Sequence, residues 1–391
     1  MKKTRTYAVV IGLGSNGLAN ARALGQHGIA IIIFLSSHEA TEVYAATRYG
    51  RQQIVDVTDG PAILRQLHAL PENANYVLFL TTDYQVRYLS EHRDDLPENC
   101  ILQAPEKQVV DMLLHKDLFD DFCRSHDFPV PQVAMVRGHN DVREACQNLV
   151  FPVIAKTLTK SYKSGLQKAY TFEDAQEVAS WYDSMYEVHR TFIFQEFIPG
   201  TDHSVFFTMQ YISATGELLA SFTGRKIRQW RPLNGGTASA EPAYNEYLRQ
   251  LTYDFFRKVN FCGIGSMEYK QDSRTGKFYM IEPTVCRTDF QEGVAIANAV
   301  NIPMVAYRDI CGQDVQPVFL SENSRKAWMH VLNDRLSRDW YISQKELTYS
   351  EWLASLRHVR SFDAFAFHDP GPFLQTIRKK FETRLGKFLK S

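Results

Sequence analysis

Two acidic residues on neighbouring strands carry the strongest chemical signal in the chain. Gly265-Ser266-Met267-Glu268-Tyr269-Lys270 is followed, after a Gly-containing turn, by Phe278-Tyr279-Met280-Ile281-Glu282-Pro283-Thr284. A short hairpin joins the two runs, and each acid has apolar residues on both sides. Two carboxylates buried near one another repel strongly unless a cation lies between them. Mg2+ takes oxygen ligands and commonly uses one or two carboxylates together with phosphate oxygens. Glu268 and Glu282 therefore read as a divalent-metal pair. The competing reading is two solvated edge-strand acids, against which the apolar flanks argue.

Three basic segments could serve the phosphates that such an ion carries. Phe151-Pro152-Val153-Ile154-Ala155-Lys156 places a lysine, a compact point charge, at the end of an apolar strand. The loop Thr157 to Leu166 holds hydroxyls and Gly165, and Lys168 follows on the next strand. Such a loop can lie over a triphosphate and donate backbone N–H groups to it. Gly224-Arg225-Lys226-Ile227-Arg228 precedes a Gly-Gly turn between Pro232 and Thr237. Cations and N–H groups there can stabilise a phosphoryl group in transfer. Lys226 and Arg287 are the candidates for that role; a solvated strand face is the alternative for Arg225, Lys226 and Arg228.

The N-terminus offers a different chemistry. Tyr7 to Ile11 is a β-branched apolar run that ends in Gly12-Leu13-Gly14-Ser15-Asn16-Gly17, and a helix with Leu18, Ala21 and Leu24 follows. Ile29 to Leu35 is a second buried strand, and Tyr76 to Leu80 a further one with Thr81-Thr82-Asp83 at its carboxyl end. The glycines match G-x-G-x-x-G between strand and helix, a place for a dinucleotide pyrophosphate. That use also wants an acid at the end of the second strand. The residues there are Ser36-Ser37-His38, and Glu39 comes late. The glycines alternatively make only a tight turn in a Rossmann-like domain.

The elements that must position these residues divide the chain. Residues 1–105 read as a Rossmann-like domain, with a boundary at Ala104-Pro105. Lys107 to Ser125 has helical period. From Phe151 to about Asp314 strands and Gly-rich turns alternate: Val153 to Lys156, Thr191 to Gln195, Ser204 to Ser213, Leu218 to Arg225, Gly263 to Tyr269 and Phe278 to Glu282. Glu292 to Val300 reads as a helix, and residues 325–391 as a mostly helical extension.

In residues 105–315 these ordered signals resemble the ATP-grasp superfamily, and within it the carboxylate–amine ligases akin to D-aspartate ligase. The resemblance implies an α/β fold: a Rossmann-like pre-grasp domain (1–105), an ATP-grasp module of two α+β subdomains (106–324, with a small lid at about 128–198) and the helical extension (325–391). It implies ATP and Mg2+, with Mn2+ as a substitute. Lys156 would contact the α-phosphate, and Lys116 and Lys168 would also reach the nucleotide. Phe192-Ile193-Phe194-Gln195-Glu196-Phe197-Ile198-Pro199-Gly200-Thr201-Asp202 would be the hinge. Gln195 and the backbone of Glu196, Phe197 and Ile198 would line the adenine, and Asp202 would take the ribose hydroxyls. The usual ending Glu-x-Asn-x-Arg is absent. Residues 282–289 instead fit Glu-Pro-Thr-x-x-Arg-Thr-Asp, seen in some relatives. Thr284 or Asp289 would then complete the metal site.

The chemistry so implied is ATP-dependent joining of a carboxylic acid and an amine, amino-acid or peptide-like, through an acyl phosphate, with release of ADP and phosphate. Two readings stand beside it: a nicotinamide-dependent oxidoreductase using Gly12 to Gly17, and an ATP-binding protein without catalysis. The resemblance leaves oligomeric state open, a homodimer being common in such ligases.

Composition is close to that of a soluble globular protein. Of 391 residues, 45% are hydrophobic and 23% charged, and 44 basic residues balance 44 acidic ones. The balance speaks against a general nucleic-acid binder. The longest apolar run, Ile29 to Leu35, falls far short of the ~20 residues that span a bilayer. Met1-Lys2-Lys3-Thr4-Arg5 lacks a signal peptide's apolar region. Six scattered cysteines with no C-x-x-C pair read as reduced thiols of a cytoplasmic protein. Phe373, Ile377, Phe381, Leu385 and Phe388 recur at helical spacing among Arg378, Lys379, Lys380, Arg384 and Lys387. This basic amphipathic helix either docks on the protein body or lies on the inner face of a membrane.

Overall fold

The structure is a computed structural model, and it describes residues 5–157, 170–232 and 235–388. The chain forms two compact units. The first comprises residues 1–119, 205–268 and 282–391, and the second residues 120–204 and 269–281.

The first unit opens with a parallel five-stranded sheet. Its spatial order is Arg51–Ile54, Ile31–Leu35, Arg5–Ile11, Ala74–Leu80, Cys100–Ile101. Ile31–Leu35 is buried along its whole length. Strands covered on both faces read as continuous apolar runs, which made Arg5–Ile11, Ile31–Leu35 and Ala74–Leu80 legible; the polar, exposed edge strand Arg51–Ile54 was not read from the sequence. Helix Ser15–Gly25 packs Leu18, Ala21 and Leu24 into the same core as Val10, Ile33 and Phe79.

The second sheet supplies the strands that carry the acids and bases. Val205–Ile212, Leu218–Trp230 and Gly236–Pro242 pair antiparallel in that order. Gly263–Gln271 and Phe278–Val285 lie on the side of Val205–Ile212. The boundary between the units falls inside these last two strands, directly after Glu268 and directly before Glu282. Leu218–Trp230 runs past the expected end at Arg225, with register shifts between Lys226 and Arg228 and between Arg228 and Gln229. A bulge of this kind re-aims side chains, and Lys226, Arg228 and Gln229 are all buried.

The C-terminal residues add strands as well as helices. Ala327–Met329 pairs with Gly236–Pro242, and Val359–Phe362 pairs parallel with Ala327–Met329. Two buried ion pairs fix this segment. Arg22 Nε meets Asp369 Oδ2 at 2.9 Å, and Arg228 Nε meets Asp334 Oδ1 at 2.7 Å. Asp334 also accepts from Ser239 Oγ and Trp352 Nε1. Pairs this well hydrogen-bonded hold elements in register, because removing one partner strands a buried charge.

The second unit has a four-stranded antiparallel sheet in the order Val133–Val136, Phe192–Glu196, Val153–Thr157, Tyr170–Phe172. Helices His139–Asn148 and Ala175–Met185 cover it through Val142, Ala145, Val178 and Tyr182.

Three expectations differ in detail. The helical run 107–125 is two helices, Lys107–Leu114 and Lys116–Ser125, broken where His115 takes an extended conformation. The helix expected from Glu292 to Val300 is shorter, Gly293–Ala297. Strand Gly236–Pro242 was not expected: its first two residues fell in the turn read between Pro232 and Thr237, and its small residues (Gly-Thr-Ala-Ser-Ala) lack the β-branched signature. Among the described residues no helix is long and apolar enough to cross a membrane.

Candidate functional site

In the first unit, Lys226 Nζ contacts Glu268 Oε2 at 2.6 Å and donates to Gln229 Oε1 at 3.1 Å. The lysine is buried, whereas the side chain of Glu268 keeps 35% of its exposure. The two strands, separated in the sheet by Val205–Ile212, thus hold a cation inside and present the carboxylate outward. Nearby on the chain, Ser266 Oγ donates to both oxygens of Asp289, at 2.8 and 2.9 Å, and Gln291 Nε2 donates to Oδ2 at 3.2 Å. Asp289 is buried, and burial pushes its carboxyl above the usual aspartate range; the Arg287 charge and hydrogen bonds from Thr284 and Ser266 oppose that rise. Thr284 and Asp289, the two candidates to complete a metal site, are therefore in contact.

Arg287 is aimed by the first sheet. Its Nε donates to Asp83 Oδ1 at 2.6 Å, across 204 residues of sequence, and its backbone bridges to Leu80. The glycine turn braces the same segment. Asn16 Nδ2 donates to Thr81 O and Thr288 O, Asn20 Nδ2 to Thr288 Oγ1, and Ser15 Oγ to Phe290 O.

That bracing explains the glycines. A Cβ at Gly12 would stand 2.3 Å from Thr81 Oγ1, and one at Gly17 would stand 2.2 Å from Gly12 O. The Leu13 N–H of the turn already donates to Glu39 Oε1 at 2.8 Å, while Glu39 Oε2 accepts from Ser36 N. The late acid thus sits against the turn that a pyrophosphate would occupy, and it brings negative charge there. The nicotinamide reading is not supported.

One expectation about the acids needs correction. The two glutamates were expected to be buried; Glu282 is exposed and Glu268 is partly so. Their backbone strands are apolar on alternate positions, with Met267, Tyr269 and Met280 fully buried. The apolar flanks therefore report the core beneath the strands, not the environment of the acids. Among the described residues no three His, Cys, Asp or Glu side chains form a metal-binding group. This donor set still suits Mg2+, which dehydrates reluctantly and binds through one or two carboxylates plus substrate phosphates, without an all-protein cage.

In the second unit, Lys156 Nζ donates to Gln195 Oε1 at 2.6 Å, which brings together two residues predicted from separate motifs. The N–H groups of Glu196 and Phe197 donate to Gln132 O and Pro152 O, each at 2.8 Å. Those two donors are engaged within the chain. Ile198 and Asp202 are buried, at 5% and 3% exposure. Lys116 is exposed at the start of its helix, in the first unit. Lys168 and the loop 158–166 lie outside the described residues.

Sequence reasoning missed Asp83, Ser266 and Glu292. Asp83 was visible as a polar residue at a strand's carboxyl end, but its partner was not. Glu292 is completely buried, and among the described residues neither of its carboxyl oxygens has a hydrogen-bond partner. Burial, reinforced by Asp289, holds its carboxyl well above the usual glutamate range. The folded chain thus keeps a proton that the unfolded chain releases near pH 4.3. Stability then falls as pH rises from there toward the raised folded-state value, by up to about 1.4 kcal/mol per pH unit for one proton. Glu292→Gln removes this titration. Its stability should gain on the parent's as pH rises from 5 to 8 in denaturant unfolding; parallel curves would refute the buried-acid assignment.

No protein-family model matches the chain. It is 25% identical over 265 residues to D-aspartate ligase of Enterococcus faecium (strain Aus0004), over 62% of this chain and 63% of that protein. The chain thus spans less than two thirds of the curated relative it matches. Similar solved structures include N5-carboxyaminoimidazole ribonucleotide synthetase in complex with ADP, with TM-score 0.60, 16% identity, and coverage of 88% of this chain and 86% of that one. Biotin carboxylase from Campylobacter jejuni, in complex with a β,γ-ATP ligand, gives 0.62 and 16%, over 82% and 73% of the two chains. Phosphoribosylglycinamide synthetase from Anaerococcus prevotii gives 0.59 and 13%, over 82% and 79%. The chain thus shares its fold with these solved structures and a stretch of sequence likeness with the D-aspartate ligase.

Proposed function

We propose that the chain is an ATP-dependent carboxylate–amine ligase. An oxygen of the substrate carboxylate attacks the γ-phosphorus of ATP, the bond from that phosphorus to the β,γ-bridging oxygen breaks, and ADP leaves. The amine nitrogen of the second substrate then attacks the acyl carbon of the acyl phosphate. Phosphate departs, the nitrogen loses a proton, and an amide remains. The observation that carries this reading is the set of fixed charges in the first unit: Lys226 on Glu268, Asp289 on Ser266, and Arg287 on Asp83.

Each group has a task. Glu268 and Glu282, with Thr284 or Asp289, would hold Mg2+, or Mn2+ in its place. The ion supplies neutralisation of the charge on the transferring phosphoryl oxygens. Lys226, already desolvated, adds a positive charge that needs no reorganisation during transfer. Arg287, oriented by Asp83, is suited to hold a carboxylate or phosphate by a planar fork of donors. Lys156 and Gln195, with Lys116 and Lys168, would serve the nucleotide. Because the N–H groups of Glu196 and Phe197 are engaged, the adenine edge would meet the carbonyls of this segment and the N–H of Ile198. Asp202 would take the ribose hydroxyls.

The named relative makes D-aspartate the first acid to try. The chain, Mg-ATP and a panel of amino acids including D-aspartate are incubated with hydroxylamine, which captures acyl phosphates. Amino-acid-dependent formation of ADP and hydroxamate in equal amounts is expected. Tight ATP binding, with no ADP formed by any acid and amine pair, would favour a non-catalytic nucleotide-binding protein.

A further inference from the structure

The C-terminal helix Gly371–Phe388 turns its apolar stripe away from the protein. Phe373, Leu374, Ile377 and Phe381 are 38%, 58%, 36% and 67% exposed. At 3.6 residues per turn these four positions form one stripe. The opposite side meets the body. There Pro372 is buried, Gly371 packs so closely on Ala46 that a Cβ would lie 2.0 Å from its carbonyl oxygen, and Lys379 Nζ donates to Thr41 O. The docking expected of a soluble amphipathic helix is thus reversed.

The patch extends beyond the helix. Phe367, 91% exposed, stacks edge-on against Phe365 at 4.9 Å, and Phe365 does the same with Phe373 at 5.1 Å. Arg378 and Lys380 are exposed and fall on the two opposite borders of the stripe by helical geometry. Arg378 pairs with Glu382 at 2.8 Å, the only acid among residues 371–391, and the sequence continues with Arg384, Lys387 and Lys390.

We infer that this face docks on an anionic membrane surface, with Phe367, Leu374 and Phe381 entering the interface and the flanking cations held at headgroup level. An exposed apolar stripe bordered by cations has the form of an in-plane interfacial helix, whose long basic side chains reach up from the apolar layer. A second copy of the chain is a poorer occupant. A two-fold contact sets the same surface against itself, which would place one basic border against another.

The test is co-sedimentation of the full chain with vesicles of phosphatidylglycerol and phosphatidylcholine, and of phosphatidylcholine alone. Binding at least tenfold stronger to the anionic vesicles, and weakened by salt, is expected. The double substitution Leu374→Glu with Phe381→Glu should reduce it at least tenfold, with melting temperature and nucleotide affinity in solution unchanged. Equal binding by parent and variant would overturn the inference. So would a parent that binds no vesicle but elutes as a dimer that the substitutions dissociate.

Discussion

Glu282→Gln is expected to cut turnover severely and to leave the fold intact. The glutamate is exposed on strand Phe278–Val285, so replacing it by an isosteric amide disturbs no packing and strands no buried charge. It does remove one negative charge from the proposed metal pair. A Lewis acid on a phosphoryl oxygen is worth several kcal/mol of transition-state stabilisation. A loss of about 4 kcal/mol is about 10³-fold in rate. The kcat for ADP formation should therefore fall on the order of 10³-fold, with an unchanged melting temperature. Had the acid been buried, loss of activity and loss of folding could not be separated. Full activity in the variant would remove Glu282 from the site.

Lys226→Met separates charge from volume. Lys226 is buried and paired with Glu268 and Gln229. Methionine fills much of the same space without the ammonium group. If the charge acts on the transferring phosphoryl group, kcat should fall by about 10²–10³-fold, as when one preorganised donor is removed from a transition state. The KM for ATP should move much less, because an interaction formed mainly in the transition state lowers kcat and kcat/KM together. Steady-state kinetics with ATP as the varied substrate gives the split. A variant with normal kcat and a raised KM would make Lys226 a ground-state nucleotide contact.

Local signals were legible in the sequence, and distant ones were not. The strands Arg5–Ile11, Ile31–Leu35 and Ala74–Leu80 announce themselves because parallel strands buried on both faces become apolar runs. Lys156 was readable because its charge ends a short apolar run, Val153-Ile154-Ala155, on an antiparallel strand. The partner of Arg287 was not readable, since Asp83 lies 204 residues away and only the folded sheet brings it close. Glu292 left no signal, because its surroundings come from the fold and its own neighbours are ordinary. The second unit, assembled from 120–204 and 269–281, breaks chain order in a way that no local pattern records. Alternation also misled in one place. Apolar neighbours around Glu282 were read as its environment, whereas successive strand residues face opposite ways.

The central claim is that Glu268 and Glu282 grip the ion that accompanies the triphosphate. Titration calorimetry of ATP into the parent chain and into a Glu268→Gln, Glu282→Gln double variant, each with and without Mg2+, addresses it most directly. The account predicts that Mg2+ strengthens ATP binding to the parent at least tenfold and that the variant loses this gain while keeping its metal-free affinity. An equal Mg2+-dependent gain in both proteins would contradict it.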